Sequence, residues 1–204
     1  MLLVLGVRNL HAVLASGRFH CPDCGGDRAY RLLGPRAWLH LFWLPLLPLR
    51  RGAPFVECGA CRGRFLPAAL AVPTAERLAE LLSRAVRTAA GSLLAAQPLA
   101  PGDLRRALAV LQRSQGPGYT RDVLVADVAA HREGSDLSVV AELAGALAPM
   151  GAERRLRGLA ELVLALAHPG EGHWRRLADV AAALGVTGAH LRAIVADATA
   201  GARE

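Results

Sequence analysis

Two kinds of hydrophobic pattern divide the chain near Pro67. Before this residue, short apolar runs such as "MLLVLGV", "RAYRLLG" and "PFVEC" are separated by glycine, proline and polar residues. Short runs bounded in this way are typical of β-strands. After Pro67, apolar residues recur at spacings of three and four, which is the period of an amphipathic helix. The pattern therefore predicts an α+β chain, with a small β-rich part at residues 1–67 and an all-α part after it.

Seven segments of the second part have helical spacing, and most of them end at glycine or proline. The first, "TAERLAELLSRAVRTAAG", has Thr74 as its expected N-cap and is predicted to end at Gly91. The second begins in the same way at Asp103. We expect five to seven helices. Residues 68–117 form a helical spacer or the first helices of the α domain, and residues 118–204 form the domain itself.

All four cysteines lie in two Cys-x-x-Cys pairs, within "FHCPDCGGD" and "VECGACRGR". Two such turns can supply four thiolates, which is the ligand set of a closed, structural zinc site. Gly25 and Gly59 suit these turns because glycine tolerates a positive φ. His20 is expected to be a neighbour of the site and not a ligand. The alternatives are unrelated reduced thiols or two redox dithiols. The sequence predicts one Zn²⁺ bound by Cys21, Cys24, Cys58 and Cys61.

Charge is distributed unevenly along the chain. The net charge is +7 and all 24 basic residues are arginine. Residues 1–67 hold nine arginines against three acidic residues, whereas the rest of the chain is nearly balanced. A basic patch can bind nucleic acid or an anionic membrane, although a modest patch is usually only solvated. The candidate anion contacts are Arg28, Arg31, Arg36, Arg50, Arg51, Arg62 and Arg64, with Arg50, Arg51, Arg62 and Arg64 chosen as the contact set.

The most hydrophobic stretch is "WLHLFWLPLLPL", residues 38–49, which contains Pro45 and Pro48. A membrane-spanning helix needs about 20 apolar residues, so we expect no span here. The stretch either packs inside the protein or contacts a partner or a membrane surface, through Trp38, Phe42, Trp43, Leu46 and Leu49. No secretory signal is visible, so we expect a cytoplasmic protein, where paired cysteines favour metal over disulfide.

Residues 1–65 resemble a bacterial zinc-ribbon family. The resemblance lies in "GRFHCPDCGG", then "WLHLFWLPLLPL", then "FVECGACRGRF", in that order. It implies that the N-terminal part folds as a small zinc ribbon. It also implies that residues 38–49 are ribbon strand and packing surface, and no membrane element.

The C-terminal part resembles the TerB-like domain of tellurite-resistance proteins over roughly residues 118–198. The resemblance lies in Leu177, Val180, Ala181, Leu184, Gly185, Val186, Thr187 and Leu191. It implies an all-α domain and a role in stress response. The family's loop offers carboxylates for a divalent metal, but here the loop reads "AHPGEGHW". His168, Glu171 and His173 could instead bind a borderline ion such as Zn²⁺ or Ni²⁺, or they could simply cap the helices.

No catalytic motif is visible: the chain has no Gly-x-Ser-x-Gly, phosphate loop or dinucleotide fingerprint. We therefore expect a non-catalytic protein with no small-molecule substrate. The favoured hypothesis is a zinc-binding stress-response protein of the tellurite-resistance type, which acts as an interaction module for a protein partner. The alternative is a nucleic-acid-binding zinc ribbon with a helical accessory domain.

Overall fold

The computed structural model of the chain describes residues 5–41, 44–132, 134, 136–147 and 149–201. It has a strand-rich N-terminal part followed by helices, so the predicted α+β class is confirmed. Two compact units are present, Met1–Leu78 and Ala79–Glu204. The finer division at residues 67 and 117 stays a prediction.

The N-terminal unit is an antiparallel sheet. Its strands are β1 (Leu5–Cys21), β2 (Gly26–Leu41), β3 (Leu44–Arg51), β4 (Phe55–Cys58) and β5 (Arg64–Phe65). The order is β1-β2-β4-β5, and β3 pairs with the far end of β2. A 3-10 helix follows at Pro67–Ala71. The long β1–β2 hairpin therefore carries two shorter attachments, with β4 beside the cysteine turns and β3 at the opposite end.

Strand β1 is much longer than the sequence pattern predicted. The apolar run "MLLVLGV" indicated a strand of seven residues, whereas β1 is continuous over 17 residues from Leu5 to Cys21. The register explains the difference, because each residue from Leu5 to Val13 is paired in order with β2. Strand pairing holds the segment extended even where its own hydrophobic alternation is weak.

The predicted strand at residues 38–49 is two strands. Residues 38–41 end β2 and pair with the start of β1, and residues 44–51 form β3. Pro45 and Pro48 fit this position because β3 is an edge strand. Proline has no backbone N–H to donate, and an edge strand tolerates this loss. Phe42 and Trp43 lie outside the described residues.

The buried core of this unit lies beside the cysteines. Its main cluster consists of Phe19, Cys21, Val56 and Cys58, each at most 1% exposed, and Leu33 of β2 is buried at 7%. The Phe19 ring makes edge contacts with the rings of Tyr30 and Phe65, at centroid distances of 5.6 and 5.8 Å. Such aromatic pairs add to the burial of apolar area. The core is small and fixes the sheet at one end only.

Seven helices follow within the described residues, in agreement with the seven helical segments of the sequence. They are α1 (Ala75–Ala95), α2 (Asp103–Gln115), α3 (Arg121–Ala130), α4 (Ser138–Ala146), α5 (Pro149–Leu164), α6 (Glu171–Ala183) and α7 (Gly188–Gly201). Helix α5 packs against α2, α6 and α7. The core is mainly aliphatic, in keeping with a chain that is 4% aromatic, and includes Leu124, Leu143, Leu156, Leu162, Leu177 and Val180.

The predicted end of the first helix at Gly91 is wrong. Helix α1 continues to Ala95, and Gly91 is buried within it. A Cβ atom at this position would lie 2.7 Å from the backbone oxygen of Asp127 and 2.8 Å from Cδ2 of His131. The glycine therefore allows the backbones of α1 and α3 to approach closely, which is a second common use of this residue.

Asp103 joins α2 to the loop before α6. The side chain is 3% exposed. Its carboxylate accepts hydrogen bonds from the backbone N–H of Ala100 at 2.7 Å and of Ala167 at 2.9 Å, and from Nη2 of Arg106 at 2.5 Å. Burial alone would raise the pKa of Asp103, but these donors hold it below its usual value. The carboxylate is therefore a buried polar anchor of the helical unit.

Candidate metal centre

Two similar turns position the four cysteines. The first lies between β1 and β2, where the N–H of Gly25 donates to the backbone oxygen of Cys21 at 3.0 Å. The second lies between β4 and β5, where the N–H of Arg62 donates to the oxygen of Cys58 at 3.1 Å. In each turn the residue after the second cysteine has a positive φ, 63° at Gly25 and 62° at Arg62. The two turns are therefore equivalent in backbone geometry.

The expected role of Gly59 differs from its observed role. Its φ is not positive, and the left-handed residue of the second turn is Arg62. Gly59 instead donates its N–H to the oxygen of Ala29 at 2.8 Å, and a Cβ atom on it would lie 3.1 Å from that oxygen. The glycine allows the second turn to approach β2. Sequence spacing alone gives no signal for this, because the contact is with another strand.

The four sulfur atoms lie together. All of them are within 4.8 Å of one another, and the Sγ atoms of Cys21 and Cys61 are 3.8 Å apart. All four cysteines are free thiols. A tetrahedral Zn²⁺ with Zn–S bonds of about 2.3 Å sets its sulfurs about 3.8 Å apart. The four residues therefore could hold one metal ion and fit a tetrahedral thiolate site.

Burial and hydrogen bonding distinguish the four thiols. Cys21 and Cys58 are fully buried, Cys24 is half-buried and Cys61 is exposed. Burial raises the pKa of Cys58, but hydrogen bonds from the backbone N–H groups of Cys61 and Ala60 outweigh this effect. The resulting pKa is about 7. The Gly63 N–H lowers the pKa of Cys61, whereas burial and the neighbouring thiols raise it, to a final value of about 12.

These opposite shifts have a simple electrostatic reason. Backbone donors stabilise the thiolate of Cys58, and hydrogen bonds among the four cysteines favour the protonated form of Cys61. A divalent cation changes this balance, because a coordinating thiol is deprotonated by the metal itself. The cluster is therefore arranged to favour a bound cation over four ionised thiols without one.

His20 lies next to Cys21 and outside the ligand set, which consists of sulfur atoms only. Its Nδ1 atom is 3.5 Å from Oδ1 of Asp27. The other oxygen of Asp27 accepts a hydrogen bond from the N–H of Ala75 at 2.8 Å, at the start of α1. His20 and Asp27 are thus neighbours of the cysteine cluster, and Asp27 links it to the start of α1.

The second predicted metal set is not brought together. His168 and Glu171 are exposed, and Glu171 forms an ion pair with Arg175 at 2.8 Å. His173 is 2% exposed, and its Nδ1 accepts a hydrogen bond from the N–H of Gly170 at 3.1 Å. Burial lowers the pKa of His173. Among the described residues, the four cysteines are the one group of three or more metal-ligating side chains that could hold an ion.

The four arginines chosen as anion contacts fall into two pairs. Arg62 forms an ion pair with Glu57 at 3.2 Å, and Arg64 lies 4.9 Å from the centre of the Phe55 ring. Arg50 and Arg51 are exposed at the end of β3. In the hydrophobic stretch at residues 38–49, Trp38 is half-buried and Leu49 is 52% exposed. Arg36, directly opposite Arg51 in the sheet, belongs with this second pair, and only the register could reveal that.

Comparison with known proteins gives no relative. The chain matches none of the protein-family models, curated proteins or solved structures to which it was compared. Within the described residues, no helix has the length and hydrophobicity needed to cross a membrane.

Proposed function

We propose that the chain is a zinc-binding protein in which the N-terminal sheet is held together by one structural Zn²⁺. The observation that carries this proposal is the grouping of all four cysteine sulfurs within 4.8 Å. Cys21, Cys24, Cys58 and Cys61 would hold the ion. Four thiolates fill a tetrahedral shell, so no position is left for a water molecule that the metal could activate. The metal then serves structure, and we infer that the ribbon acts by presenting a surface to a partner and not by catalysis.

Tetrahedral sulfur sites accept iron as well as zinc, so the metal must be identified by element. The first experiment is elemental mass spectrometry on the full chain, purified without chelator or histidine tag. We expect one zinc per chain. The variant Cys58→Ser should lose the zinc together with the folded sheet, because metal binding and folding of such small domains are one equilibrium.

The matched control is His20→Ala, which changes the residue beside Cys21 but removes no sulfur. We expect this variant to keep one zinc per chain. Full zinc and full stability in Cys58→Ser would refute the proposal, and so would loss of zinc in His20→Ala with retention in Cys58→Ser. One iron per chain would support the same four cysteine ligands but would show that the bound metal is iron and not zinc.

The assignment to stress response of the tellurite-resistance type rests on the sequence resemblance of residues 118–198. We include this role in stress response as the physiological part of the proposal. Expression of the chain in a tellurite-sensitive bacterium should raise tolerance, and Cys58→Ser should not. Equal tolerance with and without the chain would remove this part and leave the zinc proposal untouched.

A further inference from the structure

One end of the N-terminal sheet has no core of its own. We call it the distal sheet: residues 5–14 of β1, 34–41 of β2 and 44–51 of β3. None of its described side chains is buried. Val7, Val13, Leu47 and Leu49 are each more than half exposed. A sheet normally buries one face against another layer, so an apolar sheet with both faces open is unusual.

The strand register gathers apolar residues at the tip of this sheet. Val7 is paired with Leu39, and Leu39 is paired with Leu47. Directly paired residues lie on the same face, so the three side chains form a row across all three strands. Trp38 follows on the opposite face and is partly exposed. The tip is therefore largely apolar, with Arg8, Asn9 and His40 as its polar residues.

The arginines form a collar behind the apolar tip. Arg36 is paired directly with Arg51, and Arg50 is paired with Ala37 on the other face. The three residue steps from Arg36 to Leu39 cover about 10 Å of strand. Residues 37–41 of β2 and 44–49 of β3, which belong to the tip, contain no arginine and no acidic residue, whereas β1 contributes Arg8, paired with Trp38. The charges thus lie on both faces, one short step behind the tip.

No acidic group balances this collar. Residues 1–22 and 28–56 contain neither aspartate nor glutamate. Among the described side chains, no carboxylate forms an ion pair with Arg36, Arg50 or Arg51. Like charges directly opposite in a sheet are destabilising. The complementary partner must therefore supply anions around an apolar region.

We propose that the distal sheet is a membrane-surface anchor that binds anionic phospholipid. The tip residues Val7, Leu39 and Leu47 enter the boundary between headgroups and acyl chains. Arg36, Arg50 and Arg51 contact the lipid phosphates, and Trp38 lies at the headgroup level, where its amphipathic ring is favoured. The insertion is shallow, because an open sheet edge has unpaired backbone groups that hydrocarbon cannot satisfy.

Charge and hydrophobicity favour an anionic membrane over nucleic acid or a second copy of the chain as the partner of the distal sheet. Nucleic acid would use the arginines but not exposed valine and leucine, since its single strands bind stacked aromatic platforms. A second copy of the chain would bring two sets of unbalanced arginines together, which is unfavourable. An anionic membrane meets both the apolar tip and the collar.

The test is flotation of the zinc-loaded full chain with two kinds of vesicle. One kind is pure phosphatidylcholine, and the other contains about a third phosphatidylglycerol to supply a negative surface potential. We expect binding to the second kind only, with weaker binding as salt increases. The triple variant Arg36→Ser, Arg50→Ser and Arg51→Ser should bind about 100-fold more weakly, since each arginine near such a surface contributes about fivefold.

Two further variants complete the test. Leu39→Thr with Leu47→Thr keeps strand propensity but removes apolar area from the tip, and it should also release the chain from vesicles. The matched control replaces three exposed arginines of the helical unit, Arg121, Arg154 and Arg192, with serine. It removes the same net charge and should bind nearly as well as the wild type. Zinc content, measured on every sample, shows that a loss of vesicle binding is not a loss of the metal site.

Several results would overturn the anchor. They are absence of flotation with anionic vesicles, or unchanged binding of both the arginine and the leucine variants. Equal loss in the helical-unit control would mean that only net charge matters. Salt-dependent binding to single-stranded nucleic acid without vesicle binding would show that the arginine collar binds nucleic acid. A dimer in sedimentation that is lost in the leucine variant, without vesicle binding, would show that the tip binds a second copy of the chain.

Discussion

Replacing Gly91 with alanine tests the close approach of α1 and α3. The glycine is buried in the last third of α1, opposite the backbone of α3. An added Cβ atom would meet the oxygen and carbon of Asp127 at 2.7 and 3.0 Å and Cδ2 of His131 at 2.8 Å. Two of these three atoms belong to helix backbone, which cannot rotate away as the end of a flexible side chain can.

Two effects of opposite sign decide the magnitude. Alanine is a better helix former than glycine by about 1 kcal/mol, which favours the variant. Overpacking of a filled site costs about 1–3 kcal/mol, and more where backbone must move. Because α3 must shift by several tenths of an ångström, the second effect should win. We expect Gly91→Ala to lower the free energy of unfolding of the helical unit by about 2 kcal/mol.

The chain offers a matched control in Gly158→Ala. Gly158 lies inside α5, and a Cβ atom there would have no atom within 4 Å. Only the propensity effect remains, so this variant should be more stable than the wild type by up to about 1 kcal/mol. Urea unfolding followed by circular dichroism at 222 nm gives both values. Equal or greater stability of Gly91→Ala would show that the helices are not in contact at this point and would refute the reasoning.

Three shorter predictions concern single residues. Gly25→Ala should weaken zinc binding about fivefold in chelator competition, since a positive φ costs a non-glycine residue about 1 kcal/mol; unchanged affinity would contradict it. Asp103→Asn should destabilise the helical unit by about 2 kcal/mol in urea unfolding, because it weakens three hydrogen bonds to a buried charge; a loss below about 0.5 kcal/mol, the size of an ordinary surface change, would refute this role. The folded pKa of His173 is lowered, so the unfolded chain takes up the proton first and stability should fall as pH drops below about 6.5; a fall of equal size in His173→Asn would assign it to another group.

The sequence was sufficient for the cysteine cluster and for the seven helical segments. The cysteine pairs are local turns, and a turn of four residues is encoded by its own spacing. The helical segments are likewise local, because the period of three to four residues appears in each segment separately. Nothing about the rest of the chain is needed to recognise either feature.

The features that the sequence did not predict all depend on a partner segment. Gly91 is indistinguishable from a helix-ending glycine until α3 lies against it. Gly59 follows the first cysteine of its turn, whereas Gly25 follows the second, and the close approach of Gly59 to Ala29 depends on β2. The length of β1 and the position of Arg36 in the arginine collar follow from strand register, which no single segment contains. Pairing across the chain, and not local preference, decides each of these.

The two units should respond differently to removal of the metal. Within the described residues, the sheet buries few apolar side chains, namely Phe19, Cys21, Leu33, Val56 and Cys58. A structural zinc ion supplies roughly 10–16 kcal/mol, so the sheet should not persist without it.

The helical unit has a much larger aliphatic core and contains none of the cysteines. A strong chelator should therefore abolish the tertiary signal of Trp38 in the sheet, but leave most of the ellipticity at 222 nm. Trp174 lies in the helical unit and contributes its own tryptophan signal. A Trp174→Phe variant removes that contribution, so the remaining tryptophan signal comes from the N-terminal unit. Loss of helical ellipticity in step with zinc would show that the α-helices depend on the metal as well. A sheet that stayed folded without zinc would mean that strand pairing alone is strong enough, and the structural role of the cysteines would have to be abandoned.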